Sequence, residues 1–175
     1  MSIELSGKIE GNIRCHTEET LKKVFEKAYT VVKLSNGELY EGELDQLKHE
    51  VPKRPTVLFM HGSSGINPAI RTFAKHLAEN GFAFLAPDSM QVQDRLTYSS
   101  PVARNVYEEV HAMRYAELRH TVAKLNSISF FDNHYVIAGT SEGAVSVARF
   151  INESSEKESA RMIFSWSCEN NYHVI

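Results

Sequence analysis

The chain has no apolar stretch near the ~20 residues that a membrane-spanning helix needs, so nothing in it predicts a bilayer anchor. It has two cysteines in 175 residues, Cys15 and Cys168. They are far apart and fit no C-x-x-C or Cys/His spacing, which excludes a disulfide scaffold and a zinc site of the usual kind. There is no Gly/Ser-rich or Pro-rich linker, no low-complexity tract and no internal repeat. Excess charge of either sign is also missing: 19 Lys and Arg stand against 22 Asp and Glu, with a sequence pI near 6.2. That balance leaves no electrostatic footprint for nucleic acid or an anionic membrane. Lys22, Lys23 and Lys27 read as one solvated helix face. The opening "MSIELSGKIEGNIRCHTEE" lacks a basic segment followed by an apolar one, so no export signal is predicted there. The expectation is a cytoplasmic protein with two free thiols.

What is present suffices for one domain spanning 1–175 with its own core: 42% of residues are apolar and 23% charged. "TEETLKKVFEKA" (17–28) has a capping-box start at Thr17, with Glu18 and Glu19 nearby, and Leu21, Val24 and Phe25 at helical spacing. "TVVKLSNGELYEGEL" (30–44) predicts a β-hairpin with a type I′ turn at Asn36-Gly37. "TVLFMH" (56–61) and "FAFLAP" (82–87) are continuous apolar runs, as parallel strands covered on both faces should be. Between them, Asn67 as N-cap and Pro68 at the first helical position open a helix. Its apolar face is Ile70, Phe73, Ala74, Leu77 and Ala78, and Asn80-Gly81 closes it.

Residues 88–102 form a long polar connection, expected to hang over the sheet's C-terminal edge. A helix follows from Pro101 to about Asn126, with Val106, Val110, Met113, Leu118, Val122 and Leu125 inward. "HYVIAGT" is a third core strand, 142–151 a further helix, and "ARMIFSWS" (160–167) a fourth strand. The alternation predicts an α/β, doubly wound, mostly parallel sheet with an N-terminal antiparallel hairpin.

The chemistry-bearing stretch is "YVIAGTSEGAVSV" (135–147), in which Gly139, Ser141 and Gly143 form a G-x-S-x-G pattern between a strand and a helix. Small residues on either side let strand and helix approach closely, so that the serine is lifted above the sheet edge as a nucleophile. "HGSSG" (61–65) stands at the end of another core strand. Backbone N–H groups of Ser63 and Glu142 would then form an oxyanion hole. Ordinary tight turns would explain either motif alone; the two together at two strand ends point to acyl chemistry.

"PTVLFMHGSSGINPAIRTFAKHLAENGFAFLAPD" (55–88) and "YVIAGTSEGAVSVARF" (135–150) resemble α/β-hydrolases of the dienelactone hydrolase-like group. The resemblance covers roughly 30–170. It departs at the nucleophile, where the namesake enzymes carry cysteine and this sequence carries Ser141, which puts dienelactone itself in doubt as a substrate. It implies a carboxylic and an imidazole partner later in the chain, in the order Ser, Asp/Glu, His. Only His173 follows Ser141 before the sequence ends at Ile175, with Glu169 four residues ahead of it. The expectation is therefore a chain truncated at its C-terminus, with the last strands of the fold and both partners missing; Glu169 and His173 are the substitutes within reach. His61 is implied to shape the oxyanion loop, and Asp88 to anchor one. His16, His49, His76, His111, His120 and His134 are read as surface or core residues, Trp166 and Cys168 as packing. Arg95, Tyr98 and Arg104 either contact substrate or lie in a solvated loop.

The resulting expectation is a serine hydrolase acting on a small-molecule ester, lactone or thioester through a covalent acyl-enzyme, with no cofactor and no metal. Self-association, or pairing with a missing C-terminal segment, is expected at the open sheet edge. The rival reading is a non-catalytic α/β module completed by another chain.

Overall fold

Apolar runs of strand length build the centre of a six-stranded sheet. The computed structural model describes residues 6–155 and 157–165. In chain order the strands are β1 (Ile9–Glu10), β2 (Tyr29–Lys33), β3 (Leu39–Glu43), β4 (Arg54–Met60), β5 (Ala83–Ala86), β6 (Thr97–Tyr98), β7 (Phe131–Thr140) and β8 (Ala160–Phe164). The helices are α1 (Glu18–Glu26), α2 (Pro68–Glu79), α3 (Arg104–Lys124) and α4 (Glu142–Arg149). The large sheet runs β3-β2-β5-β4-β7-β8, and β1 pairs with β6 in a separate antiparallel ribbon. β4, β5, β7 and β8 are parallel, while β2 runs antiparallel to both β3 and β5.

Both faces of the parallel strands are covered, which is why their sequences alternate so little. On one face Ile70, Ala74 and Ala78 of α2 pack on Val57, Phe59, Phe84 and Ala138. On the other, Leu118 and Val122 of α3 and Val147 of α4 pack on Leu58, Met60, Leu85 and Ile137. Strand β8 pairs with β7 from Val136↔Ala160 to Thr140↔Phe164, and its Ile163 and Phe164 remain exposed.

Two local expectations need correction. Thr17 does cap α1, but the residue that closes its capping box is Thr20: the Thr17 hydroxyl accepts from the Thr20 N–H (3.2 Å), and the Thr20 hydroxyl accepts from the Thr17 N–H (2.8 Å). The hairpin turn is not type I′. Its positive φ falls on Gly37 alone (+90°), and the Leu34 N–H reaches the Glu38 carbonyl at 2.8 Å, leaving a wider loop than the dipeptide suggests. The 88–102 connection reaches the elbow through Arg95 and Glu142, and it is packed along its length. Val92, Leu96 and Val102 are buried, and Leu96 and Val102 pack with Val106, Val110 and Met113 of α3. The N-terminal arm clasps this connection through β1–β6, and a Cβ on Gly11 would lie 2.1 Å from the Arg95 carbonyl oxygen. Among the described residues, no helix is long and apolar enough to cross a membrane.

Candidate active site

Ser141 sits at the tip of β7, exposed, with φ 51° and ψ −119°. A non-glycine residue rarely holds positive φ, and such strain persists only where the surroundings over-determine it. Here they do. The Ser141 N–H donates to the Phe164 carbonyl of β8 at 3.0 Å, and the Ser141 carbonyl accepts the first helical bond of α4 from Val145 at 3.3 Å. The two glycines of the motif are demanded by contact. A Cβ on Gly143 would lie 2.1 Å from the Met60 carbonyl oxygen at the end of β4, and one on Gly139 would lie 2.7 Å from the Gly143 carbonyl oxygen. Strand and helix thus meet backbone to backbone.

The "HGSSG" turn stands beside this elbow. A Cβ added at Gly62 would lie 3.3 Å from the Ser141 Cβ. The Gly65 N–H closes the turn on the Gly62 carbonyl (3.1 Å), Gly65 takes φ +69°, and Ser63 and Ser64 are exposed at its outer side. Glu142 is the first residue of α4, so its N–H is among those with no acceptor inside the helix. Alongside, Phe59, Ile70, Phe73, Thr140 and Phe164 line an apolar cleft of about 240 Å³.

Beneath the two turns lies a buried ionic cluster. The Glu142 carboxylate, 1% exposed, lies 2.5 Å from an Arg95 guanidinium nitrogen and 3.6 Å from Arg114 Nε. Arg114, fully buried, also pairs with Glu117 and donates to the His61 carbonyl at 3.0 Å. Glu117 in turn accepts from the Ser89 hydroxyl (2.5 Å) and meets His16 Nε2 (2.7 Å). Burial alone would raise the Glu117 pKa, but the Arg114 charge and the bonds from His16 and Ser89 outweigh it and hold it low. His61 is completely buried; desolvation, reinforced by the Arg114 charge, pushes its pKa to about 3. The neutral ring then donates from Nδ1 to the Gly62 carbonyl (2.7 Å), while Nε2 accepts the Ser89 N–H (3.1 Å). One tautomer satisfies both partners and fixes the strand end from which the HGSSG turn departs.

No protein-family model matches the chain, and no curated protein matches it. Among solved structures it is similar to a protein described as a dienelactone hydrolase from Klebsiella pneumoniae subsp. pneumoniae MGH 78578, with 17% identity over 78% of this chain and 71% of that one, TM-score 0.39. It is also similar to esterase B from Lactobacillus rhamnosis, with 11% identity over 89% of this chain and 47% of that one, TM-score 0.42. This chain therefore spans about half the length of that esterase. The fold itself is a mostly parallel, helix-flanked sheet with a strand–turn–helix elbow at the end of β7.

Within that fold, Ser141 and Glu142 stand at the elbow and Ser63 in the HGSSG turn whose Gly62 adjoins Ser141, whereas Glu169 and His173 lie outside the described residues. None of the other histidines adjoins the elbow serine through a hydrogen bond among the described residues. His16 and His61 belong to the buried cluster; His111 stacks on Tyr107, and burial lowers its pKa to about 4; His120 packs against Phe25. His49, His76 and His134 are exposed. Arg95, left open as a substrate contact or a solvated residue, is neither: it is 4% exposed and engaged with Glu142. Tyr98 packs edge-on against Tyr107, and Arg104 is exposed at the start of α3. Asp88 caps the short turn after β5, accepting from the Met90 N–H at 3.0 Å, and lies 3.6 Å from His61 Nε2. Among the described residues no group of three or more His, Cys, Asp or Glu could hold a metal ion.

The buried roles of Arg114, Glu117, Ser89 and His16 escape a sequence reading. The one available signal was Arg114 and Glu117 at i, i+3 beside Met113 and Leu118, on the inward side of the helix.

Proposed function

We propose that the chain is a serine hydrolase of small esters, lactones or thioesters, with Ser141 as nucleophile and the Ser63 and Glu142 N–H groups as oxyanion donors. The observation that carries this reading is an exposed serine at φ 51° whose Cβ abuts Gly62 of the HGSSG turn. In the reaction, Ser141 Oγ bonds to the substrate carbonyl carbon while its proton passes to a base. The oxyanion forms against the two N–H groups, the alcohol or thiol leaves with that proton, and water then cleaves the acyl-serine. The apolar cleft beside Thr140 is the place for a short acyl chain. The base and its carboxylate are assigned to residues outside the described ones, Glu169 and His173 being the candidates in this sequence.

A fluorophosphonate probe tests the assignment. The full protein should be labelled on the peptide carrying Ser141, and Ser141→Ala should abolish the label. Label on another serine, or equal label on the Ala variant, overturns it. A folded protein that takes no label leaves the non-catalytic module as the better reading.

A further inference from the structure

We infer that Arg114 is a positioning residue that braces the oxyanion turn and the nucleophile elbow against each other, with Glu142 as its second anchor. This rests on the reading of the Ser63 and Glu142 N–H groups as oxyanion donors. Those two groups belong to different turns, 79 residues apart in sequence, so their spacing is not fixed by local backbone geometry.

A glutamate at the first position of a helix ordinarily faces water and interacts with the helix dipole. Glu142 instead buries its carboxylate, 1% exposed, beside Arg114 Nε and the Arg95 guanidinium. The same Arg114 donates through Nη2 to the His61 carbonyl, one residue before the HGSSG turn, at 3.0 Å. A single planar guanidinium therefore hydrogen-bonds the residue at the root of one turn and stands at ion-pair distance, 3.6 Å with no hydrogen bond from Nε, from the carboxylate of the residue after the nucleophile. Its fork is rigid, which a lysine would not reproduce.

Within the cluster Arg95 and Arg114 face Glu117 and Glu142, and His61 is neutral. Glu117 holds the Arg114 side chain from the flank, while Ser89 and His16 hold Glu117. Arg95 ties the 88–102 connection into the same brace. An interior assembly of this kind is costly to desolvate and contributes more to fixing one arrangement than to net stability. An oxyanion hole is where such fixing matters, because donors act on the transition state only if they are already in place.

The brace can be read without turnover, by residue-resolved amide hydrogen exchange on the full chain. The Gly65 N–H, bonded to the Gly62 carbonyl, reports on the oxyanion turn; the Val145 N–H, bonded to the Ser141 carbonyl, reports on the elbow. Glu142→Gln and Arg114→Lys should each raise both exchange rates at least tenfold, beyond any change at Leu58 in the sheet centre. Glu41→Gln, which breaks the two ion pairs that β3 makes with Arg71 and Lys75, should move neither. The proposal is overturned if Val145 speeds up in Glu142→Gln while Gly65 does not, or if Arg114→Lys leaves both unchanged. Either substitution suffices if the other fails to fold. In protein that Ser141-dependent labelling shows to be active, Glu142→Gln should lower kcat about tenfold or more at nearly constant KM. Absent labelling defeats the hydrolase reading and not the brace; unchanged kcat in labelled protein defeats the brace and not the hydrolase reading.

Discussion

Gly143→Ala adds one methyl group where the structure has no room for it. The new Cβ would lie 2.1 Å from the Met60 carbonyl oxygen, 2.5 Å from its carbonyl carbon and 2.6 Å from the His61 carbonyl oxygen. All three are backbone atoms, so no side-chain rotation relieves the overlap; either the first turn of α4 or the end of β4 must retreat. Gly143 is not at positive φ, so the penalty comes from contact and not from forbidden backbone. Overpacking of this kind typically costs 1–3 kcal/mol, sometimes more. Alanine in a helix recovers about 1 kcal/mol over glycine. Because only backbone can yield, the upper end of that range applies, and the net expectation is a loss of roughly 2 kcal/mol, or about 4–8 °C in Tm for a domain of this size. The functional loss should be larger in proportion. The displaced atoms are the base of the elbow on one side and the root of the HGSSG turn on the other, so labelling of Ser141 by a fluorophosphonate should slow at least tenfold at a temperature where the variant is still folded. Thermal melts and labelling time courses measure both. A variant with wild-type Tm and wild-type labelling would refute the argument that backbone contact at Gly143 sets the elbow.

Acid should weaken the fold well above the usual carboxylate range. The pKa of His61 in the folded protein, about 3, lies below the ~6.5 of an exposed histidine, so the unfolded chain takes up a proton that the folded one refuses. Its contribution is complete above about pH 6.5 and is lost as pH falls toward 3, with roughly 2 kcal/mol gone by pH 5. Urea unfolding at pH 7.5, 6 and 5 checks this, and a flat stability across that range would refute it. Asn67→Ala should cost about 1 kcal/mol, because the Asn67 side chain accepts the Ile70 N–H at the start of α2 (3.1 Å). A thermal melt unshifted from wild type would show that water replaces the cap at no cost.

The elements most legible in the sequence are those whose residues meet one demand at a time. "TVLFM", "AFLA" and "YVIAG" are apolar throughout because each strand is covered on two faces, and α2 shows its apolar stripe, its Asn-Pro start and its Asn-Gly end together. The elbow was legible for the same reason. Gly139 and Gly143 are fixed by backbone contacts that no larger residue satisfies, so the pattern itself carries the geometry. The 88–102 connection was not legible. Its buried Val92, Leu96 and Val102 follow no period, and what clasps it is an arm more than 80 residues away in sequence, joined through a ribbon of two-residue strands.

The support beneath the site was hidden by a different cause. Composition treats Arg, Glu and His as surface residues, which for most of this chain is correct. On α3, however, Arg114, Glu117, His111 and Thr121 all face inward with Met113 and Leu118, so the helix shows little apolar stripe while burying nearly half its length. Charged residues can occupy such positions only when each finds an opposite charge or a hydrogen-bond partner, and besides each other Arg114 and Glu117 draw theirs from the end of β4, the turn after β5, the start of α4 and the residue ahead of the α1 N-cap. Arg114 and Glu117 are three residues apart and Ser89 and Arg95 six, but the groups that compensate one another across the cluster otherwise come from separate stretches of sequence. A pattern rule works on neighbours along the chain, whereas charge compensation is settled across the fold. It follows that the parts of this site shaped by backbone contact can be read from residue types, and the parts shaped by electrostatics cannot until the strands are in place.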